Sequence, residues 1–133
     1  MDYTSKNHSK YLLIVHLIFV TKYRKQLLVK YGDEIKIILE DVSKEKNFKT
    51  VTMEVDKDHI HLLVNYSPIL SVVEIARHLK QISTYRIWRQ NDNHLDLSKQ
   101  FWKEKTFWSD GYFACSIGNV SKETIEKYIQ NQG

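Results

Sequence analysis

With 133 residues, of which 42% are hydrophobic and 27% charged, the chain is sized for one compact domain with a core of its own, and a single domain over 1–133 is expected. Its one cysteine, Cys115, cannot form an internal disulfide, which fits a reducing compartment. Lysine and arginine number 20 against 16 acidic residues, a net charge of +4 that leans mildly toward a polyanionic partner.

The first pronounced feature is the apolar run Tyr11 to Val20, interrupted by His16. It falls short of the roughly 18 residues a membrane span needs. Thr21-Lys22-Tyr23-Arg24-Lys25 follows where a secretory signal would place small residues. No membrane association and a cytoplasmic location are therefore expected, and Tyr11 to Thr21 reads as a buried strand. From Gly32 to Lys46, the spacing of Ile35, Ile38, Leu39 and Val42 predicts a helix, with Lys36, Glu40, Lys44 and Glu45 on its wet side and Asn47 as its stop. Thr50 to Val55 and His59 to Tyr66 alternate around Asp56-Lys57-Asp58 and predict a β-hairpin whose turn lacks the usual glycine.

Ser71 with Glu74 forms a capping box that opens the longest helix, running to Arg89 or Gln90 with Val72, Ile75, Leu79 and Ile82 as its inner stripe. Asn91 to Thr106 carries no clear period. Asp110-Gly111 marks a turn before a short strand, Tyr112 to Ile117, which Gly118-Asn119 ends. Ser121 caps a final helix with Ile125, Tyr128, Ile129 and Gln132 on one face. The order strand, helix, strand, strand, helix, strand, helix predicts an α+β fold. It is the split βαβ, ferredoxin-like arrangement: an antiparallel sheet with helices packed on it and an extra C-terminal helix. That fold names no function.

Three sets of residues are candidates for chemistry. On a strand, His59 and His61 project together while Ile60, Leu62 and Val64 point the other way, so two imidazoles stand close enough to share a metal ion. The same pattern also suits two half-exposed surface histidines. Tyr128 and Gln132, four positions apart on the last helix, stack on one face; a tyrosine can be a covalent nucleophile when a cation or base stabilises its phenolate. The plainer reading packs Tyr128 on the sheet and leaves Gln132 as terminal surface. Basic and aromatic residues form the third set: Lys22, Tyr23, Arg24 and Lys25 after the first strand, and Arg77, Lys80, Arg86, Trp88 and Arg89 on the long helix. They are candidates for binding phosphates and unpaired bases. Arg77 and Arg86 lie on opposite sides of that helix at about 100° per residue, so a solvated helix serves equally well. His16, His78 and His94 read as packing or surface residues, and Cys115 as a small core residue.

Taken together, four segments resemble the small single-tyrosine HUH transposases of bacterial and archaeal insertion sequences, the transposase A type. They are Thr21-Lys22-Tyr23-Arg24 after the apolar strand, Asp58-His59-Ile60-His61, Phe107-Trp108-Ser109-Asp110-Gly111-Tyr112-Phe113, and Ile125-Glu126-Lys127-Tyr128-Ile129-Gln130-Asn131-Gln132. The resemblance implies that Tyr128 attacks a phosphodiester of single-stranded DNA, leaving a 5′-phosphotyrosine link and a free 3′-hydroxyl. It implies that His59, His61 and Gln132 bind Mg²⁺ or Mn²⁺. It further implies recognition of hairpins at the ends of the element by a homodimer joined through strands, the histidine pair of one subunit meeting the tyrosine helix of the other, with Gly118-Asn119 as a hinge. Gln132 stands beside the last residue of the sequence, whereas relatives often continue, so the third ligand is expected on an unsupported chain end. Two other activities fit the same residues: a non-catalytic module binding single-stranded or hairpin nucleic acid, and a related HUH nickase acting at replication origins or chromosomal repeats.

Overall fold

The computed structural model describes residues 4–6, 9–11, 13–91, 95–102 and 104–117. Two short strands, β1 (Thr4–Lys6) and β2 (Ser9–Tyr11), pair antiparallel. The main sheet contains β3 (Leu13–Val20), β4 (Lys49–Val55), β5 (His59–Tyr66) and β6 (Phe113–Ile117), with α1 (Leu28–Glu45) between β3 and β4, and α2 (Val72–Gln90) and α3 (Leu95–Gln100) between β5 and β6. Its strand order is β4-β5-β3-β6 and every neighbouring pair is antiparallel. The expected split βαβ sheet is the observed one: the β4–β5 hairpin returns so that β5 lies between β3 and β4.

Central placement explains the composition of β3 and β5, since a strand flanked on both sides can be apolar on both faces. On one face Val15, Leu17 and Phe19 of β3 meet Ile60, Leu62 and Val64 of β5, all at most 1% exposed, and join Ile35, Leu39, Ile75 and Leu79 of α1 and α2 in the core. Ile14, His16 and Leu63 are also buried, although pleat alternation sets them on the opposite face.

Three local departures from the sequence reading have physical causes. Helix α1 begins at Leu28, not Gly32, and the Leu28 amide donates to the Lys57 carbonyl in the β4–β5 turn at 3.0 Å, which satisfies a donor that a helix start leaves open. Gly32 is therefore interior; a Cβ there would stand 3.1 Å from Val55 Cγ1, so the missing side chain lets α1 lie close on β4. Helix α3 falls in the stretch without a period; among its described side chains Leu97 is the buried one that anchors it. Cys115 is part-exposed on the edge strand β6 and not a core residue.

Other expectations hold. Asn47 ends α1 with a left-handed φ of 64°, a conformation asparagine tolerates, while the Phe48 amide donates back to the Ser43 carbonyl. Both halves of the Ser71–Glu74 capping box are present. Along α2, Ile75 and Leu79 are fully buried, with Ala76, Ser83 and Ile87 completing the inner face; Val72 and Ile82 sit at its margin. The predicted final helix and the Gly118-Asn119 hinge lie outside the described residues.

Candidate metal centre and nucleic-acid interface

Strand β5 leaves the tight turn at Asp58 and immediately presents His59 and His61 on the face away from the α1/α2 core, because Ile60 and Leu62 occupy the other. The two rings lie 5.0 Å apart between centroids, at 72° to one another. His59 Nδ1 lies 2.8 Å from Asp58 Oδ1, and the other carboxylate oxygen accepts from Arg24 Nε at 3.2 Å. The hydrogen bond from His59, followed by that from Arg24, holds the Asp58 carboxyl below the usual carboxylate range, with partial burial opposing. An ionised acceptor at Nδ1 draws a ring proton there, so Nε2 is the nitrogen of His59 turned away from Asp58.

His61 is only 4% exposed. Its Nδ1 is 3.0 Å from Nε2 of His16, which sits on β3, and its own Nε2 is buried without a hydrogen-bond partner among the described residues. Burial, followed by the neighbouring His59, lowers the pKa of His61, with Glu54 and Asp56 opposing. Burial and then His61 lower that of His16 to about 4. Both rings are therefore neutral near pH 7, as a metal-binding imidazole must be.

This donor set fits a divalent cation. Two imidazoles stand side by side, each with its Nδ1 held by another residue, and that of His61 presents a buried Nε2 that no group among the described residues satisfies. Imidazole alone suits zinc or a late transition metal at least as well as magnesium, so ligand type does not select the ion. No third His, Cys, Asp or Glu completes the set among the described residues. Tyr128 and Gln132, the predicted nucleophile and third ligand, lie outside them.

Three of the four segments singled out in the sequence converge beside the histidines. Thr21 is fully buried and its amide donates to the Asp58 carbonyl at 2.9 Å; the Lys22 amide donates to Phe107 and the Ser109 amide to Val20, both at 2.8 Å. The 3₁₀ turn Lys22–Arg24 thus wedges between the β4–β5 turn and the Phe107–Trp108 segment. Tyr23 and Arg24 both have positive φ there, 60° and 53°, which is strained for residues with a side chain. The turn presents Tyr23, 64% exposed, at the surface, where its hydroxyl donates to Glu104.

The predicted phosphate-binding residues have divided roles. Lys22 pairs with Asp110 at 3.3 Å, and Lys25 lies over the Phe101 ring. Lys80 donates to the carbonyls of Ser109, Asp110 and Gly111 at 2.6, 2.8 and 3.0 Å, and burial lowers its pKa against the opposing charge of Asp110. Arg86 grips both carboxylate oxygens of Glu45 at 2.6 and 2.8 Å and so ties α2 to α1. Arg89 donates to the Tyr85 hydroxyl, and Arg77 is exposed. Lys80 and Arg86 are thus engaged within the protein, while Arg77 faces outward.

Residues 9–132 match the family described as Transposase IS200 like. The chain belongs to the IS200-like transposase family. It is 32% identical over 123 residues to the ISDra2 transposase TnpA of Deinococcus radiodurans, a match covering 92% of this chain and 85% of that one. It is 30% identical over 135 residues to the transposase for insertion sequence element IS200 of Salmonella typhimurium, covering 98% and 84%. Among solved structures, a crystal structure from D. radiodurans, of a protein assigned as a transposase, superposes with a TM-score of 0.74 at 29% identity over 97% of both chains. The structure of a REP-associated tyrosine transposase bound to a REP hairpin shares the fold, with a TM-score of 0.59 at 14% identity, over 98% of this chain and 68% of that one. The single-tyrosine HUH transposase reading of the sequence is therefore the correct family, and its members process DNA. No helix among the described residues of this transposase is long and apolar enough to cross a membrane.

Sequence reasoning set His16 aside as a packing residue and missed its contact with His61. The only signal was a polar ring in an otherwise apolar strand. Placing it beside His61 takes the β3–β5 register, in which His16 pairs with Leu63 and Ile18 with His61.

Proposed function

We propose that this transposase cuts and rejoins single-stranded DNA at insertion-sequence ends through Tyr128. In cleavage, the phenolic oxygen of Tyr128 bonds to the scissile phosphorus and the P–O3′ bond breaks, so that the 5′ end is held as a phosphotyrosine and the proton lost by the phenol is balanced by protonation of the departing 3′-oxygen. Attack by a 3′-hydroxyl on the same phosphorus reverses the exchange. One phosphodiester replaces another, so neither ATP nor water enters.

His59 and His61, with Gln132 as the third protein ligand, would hold Mg²⁺ or Mn²⁺, whose contribution is to polarise the phosphate and stabilise the leaving oxygen. Asp58 and Arg24 orient His59 from behind. The observation that carries the reading is the pair of imidazoles on β5, that of His61 with a buried Nε2 unsatisfied among the described residues, in a chain of this family. Family resemblance supports a homodimer in which one subunit's histidines meet the other's Tyr128, and DNA hairpins as the element-end feature recognised. The bound hairpin of the REP-associated relative is consistent with that substrate class.

The test is incubation of labelled, hairpin-bearing single strands with the protein and Mg²⁺ or Mn²⁺, followed by denaturing electrophoresis. A denaturant-resistant adduct is expected with the wild type and lost in Tyr128→Phe. An adduct that persists in Tyr128→Phe overturns the nucleophile. Salt-dependent hairpin binding with no metal-dependent cleavage on any element-like strand would establish a binding module instead. Mixing Tyr128→Phe with His61→Ala subunits should restore cleavage if the site is shared between subunits; if the mixture stays inactive, that arrangement fails.

A further inference from the structure

Behind the two histidines stand two different supports. His59 leans on a carboxylate, Asp58, in a part-exposed position. His61, almost fully buried, leans instead on a second imidazole, that of His16, which is itself wholly buried. A carboxylate in that position would bring a charge into the interior, whereas a neutral ring supplies the same lone pair without it.

Two ring nitrogens 3.0 Å apart share one hydrogen, and there are two ways to place it. If His16 Nε2 carries it, His61 must carry its own proton on Nε2, a buried donor with no acceptor among the described residues. If His61 Nδ1 carries it, His16 carries its own proton on Nδ1, an equally buried atom, and Nε2 of His61 is a lone pair free to serve as a ligand; burial therefore does not choose between the two placements, and only the second makes His61 a ligand. The two ring planes lie within 16° of each other with centroids 5.3 Å apart, and Phe113 of β6 packs edge-on against His16 with centroids 6.1 Å apart.

We propose that His16 is a positioning residue for the metal centre: its Nε2 accepts the Nδ1–H of His61 and so fixes the tautomer and ring angle that present the Nε2 of His61 to the divalent ion. The assignment rests on the metal-binding role proposed above for His59 and His61. It extends to His61 the outer-sphere support that Asp58 gives His59.

The full-length protein, labelled with ¹⁵N-histidine and free of metal, reports the tautomer directly by NMR, and Mn²⁺ titration followed by EPR reports affinity without any activity assay. The wild type should show His61 with its proton on Nδ1. His16→Leu, which keeps an apolar strand residue but removes the acceptor, should lose that single tautomer and weaken Mn²⁺ binding by about 10- to 100-fold. His16→Gln, whose amide oxygen can accept the same proton, should recover most of the affinity. Loss of Mn²⁺ binding in His61→Ala with wild-type affinity in a folded His16→Leu overturns the role of His16 alone. Unchanged binding in His61→Ala overturns the metal reading beneath it. A wild-type His61 protonated on Nε2 overturns the proposal even if the Leu variant does not fold.

Discussion

Lys80 offers a decisive contrast between holding a protein together and holding DNA. Its ammonium places all three donors on consecutive carbonyls, Ser109, Asp110 and Gly111, within the Trp-Ser-Asp-Gly-Tyr segment that leads into β6. Lys80→Met keeps the length and most of the volume of the stem while deleting those donors. Hydrogen bonds to a charged group contribute about 1.5–3 kcal/mol each when isolated, but two offsets reduce the sum. Asp110 and Gly111 are exposed, so their carbonyls regain water, and the part-buried ammonium is already strained by desolvation, which methionine relieves. The net loss should be about 1–2 kcal/mol, equivalent to a fall in Tm of roughly 3–10 °C for a domain of this size. Thermal unfolding by circular dichroism measures it, and amide exchange should quicken locally around 109–113. The salt dependence of hairpin binding should stay unchanged, because a residue making no phosphate contact contributes nothing to that slope. An unchanged Tm together with a salt slope reduced by about one would refute the reasoning and make Lys80 a phosphate contact.

Ser71→Ala removes the cap of α2 and should cost about 1 kcal/mol, read from urea unfolding. The Ser71 backbone amide, then its hydroxyl, depress the Glu74 carboxyl; the hydroxyl's share, which Ser71→Ala removes, is present above the ordinary glutamate range and lost as pH falls through the lowered folded-state value, so the gap between wild type and Ser71→Ala should narrow in acid without closing, because the bond from the Glu74 amide to Ser71 Oγ does not titrate. Gly32→Ala gains about 1 kcal/mol of helix propensity but sets a methyl against Val55 Cγ1, so a net loss of stability is expected, and the same substitution in a Val55→Ala background should be stabilising. In a double-mutant cycle, Arg86 and Glu45 should couple only weakly, since the carboxylate is half exposed, and the coupling should shrink in high salt.

The elements legible in the sequence were those whose signals are local. The His59–Tyr66 alternation, the capping box at Ser71 and the stop at Asn47 each depend on contacts within a few residues, and each appears where expected. Signals carried by partners distant in sequence were not legible. Gly32 resembles a helix boundary until Val55 is seen against it, and the described side chains of α3 offer one buried anchor, Leu97, where a periodicity needs several. The hairpin of β1 and β2 consists of Thr-Ser-Lys and Ser-Lys-Tyr, which carry no apolar alternation to read. A tally of positive charge likewise cannot tell an arginine facing outward, such as Arg77, from one already gripping Glu45.

The candidate site divides along the same line. His59 and His61 could be paired on paper because the two-residue period of a strand is a covalent fact of neighbouring residues. His16 is 45 positions from His61, and a shift of the β3–β5 register by one residue would turn its ring to the α1/α2 face, beside Leu62, and turn Leu17 out of the core. Polar burial there would be unsupported, so the register that builds the core and the register that seats the histidines are the same constraint. Within this fold, the hydrophobic pattern of β3 therefore does chemical as well as structural duty: Val15, Leu17 and Phe19 hold the strand in the one alignment that delivers His16 to the back of His61.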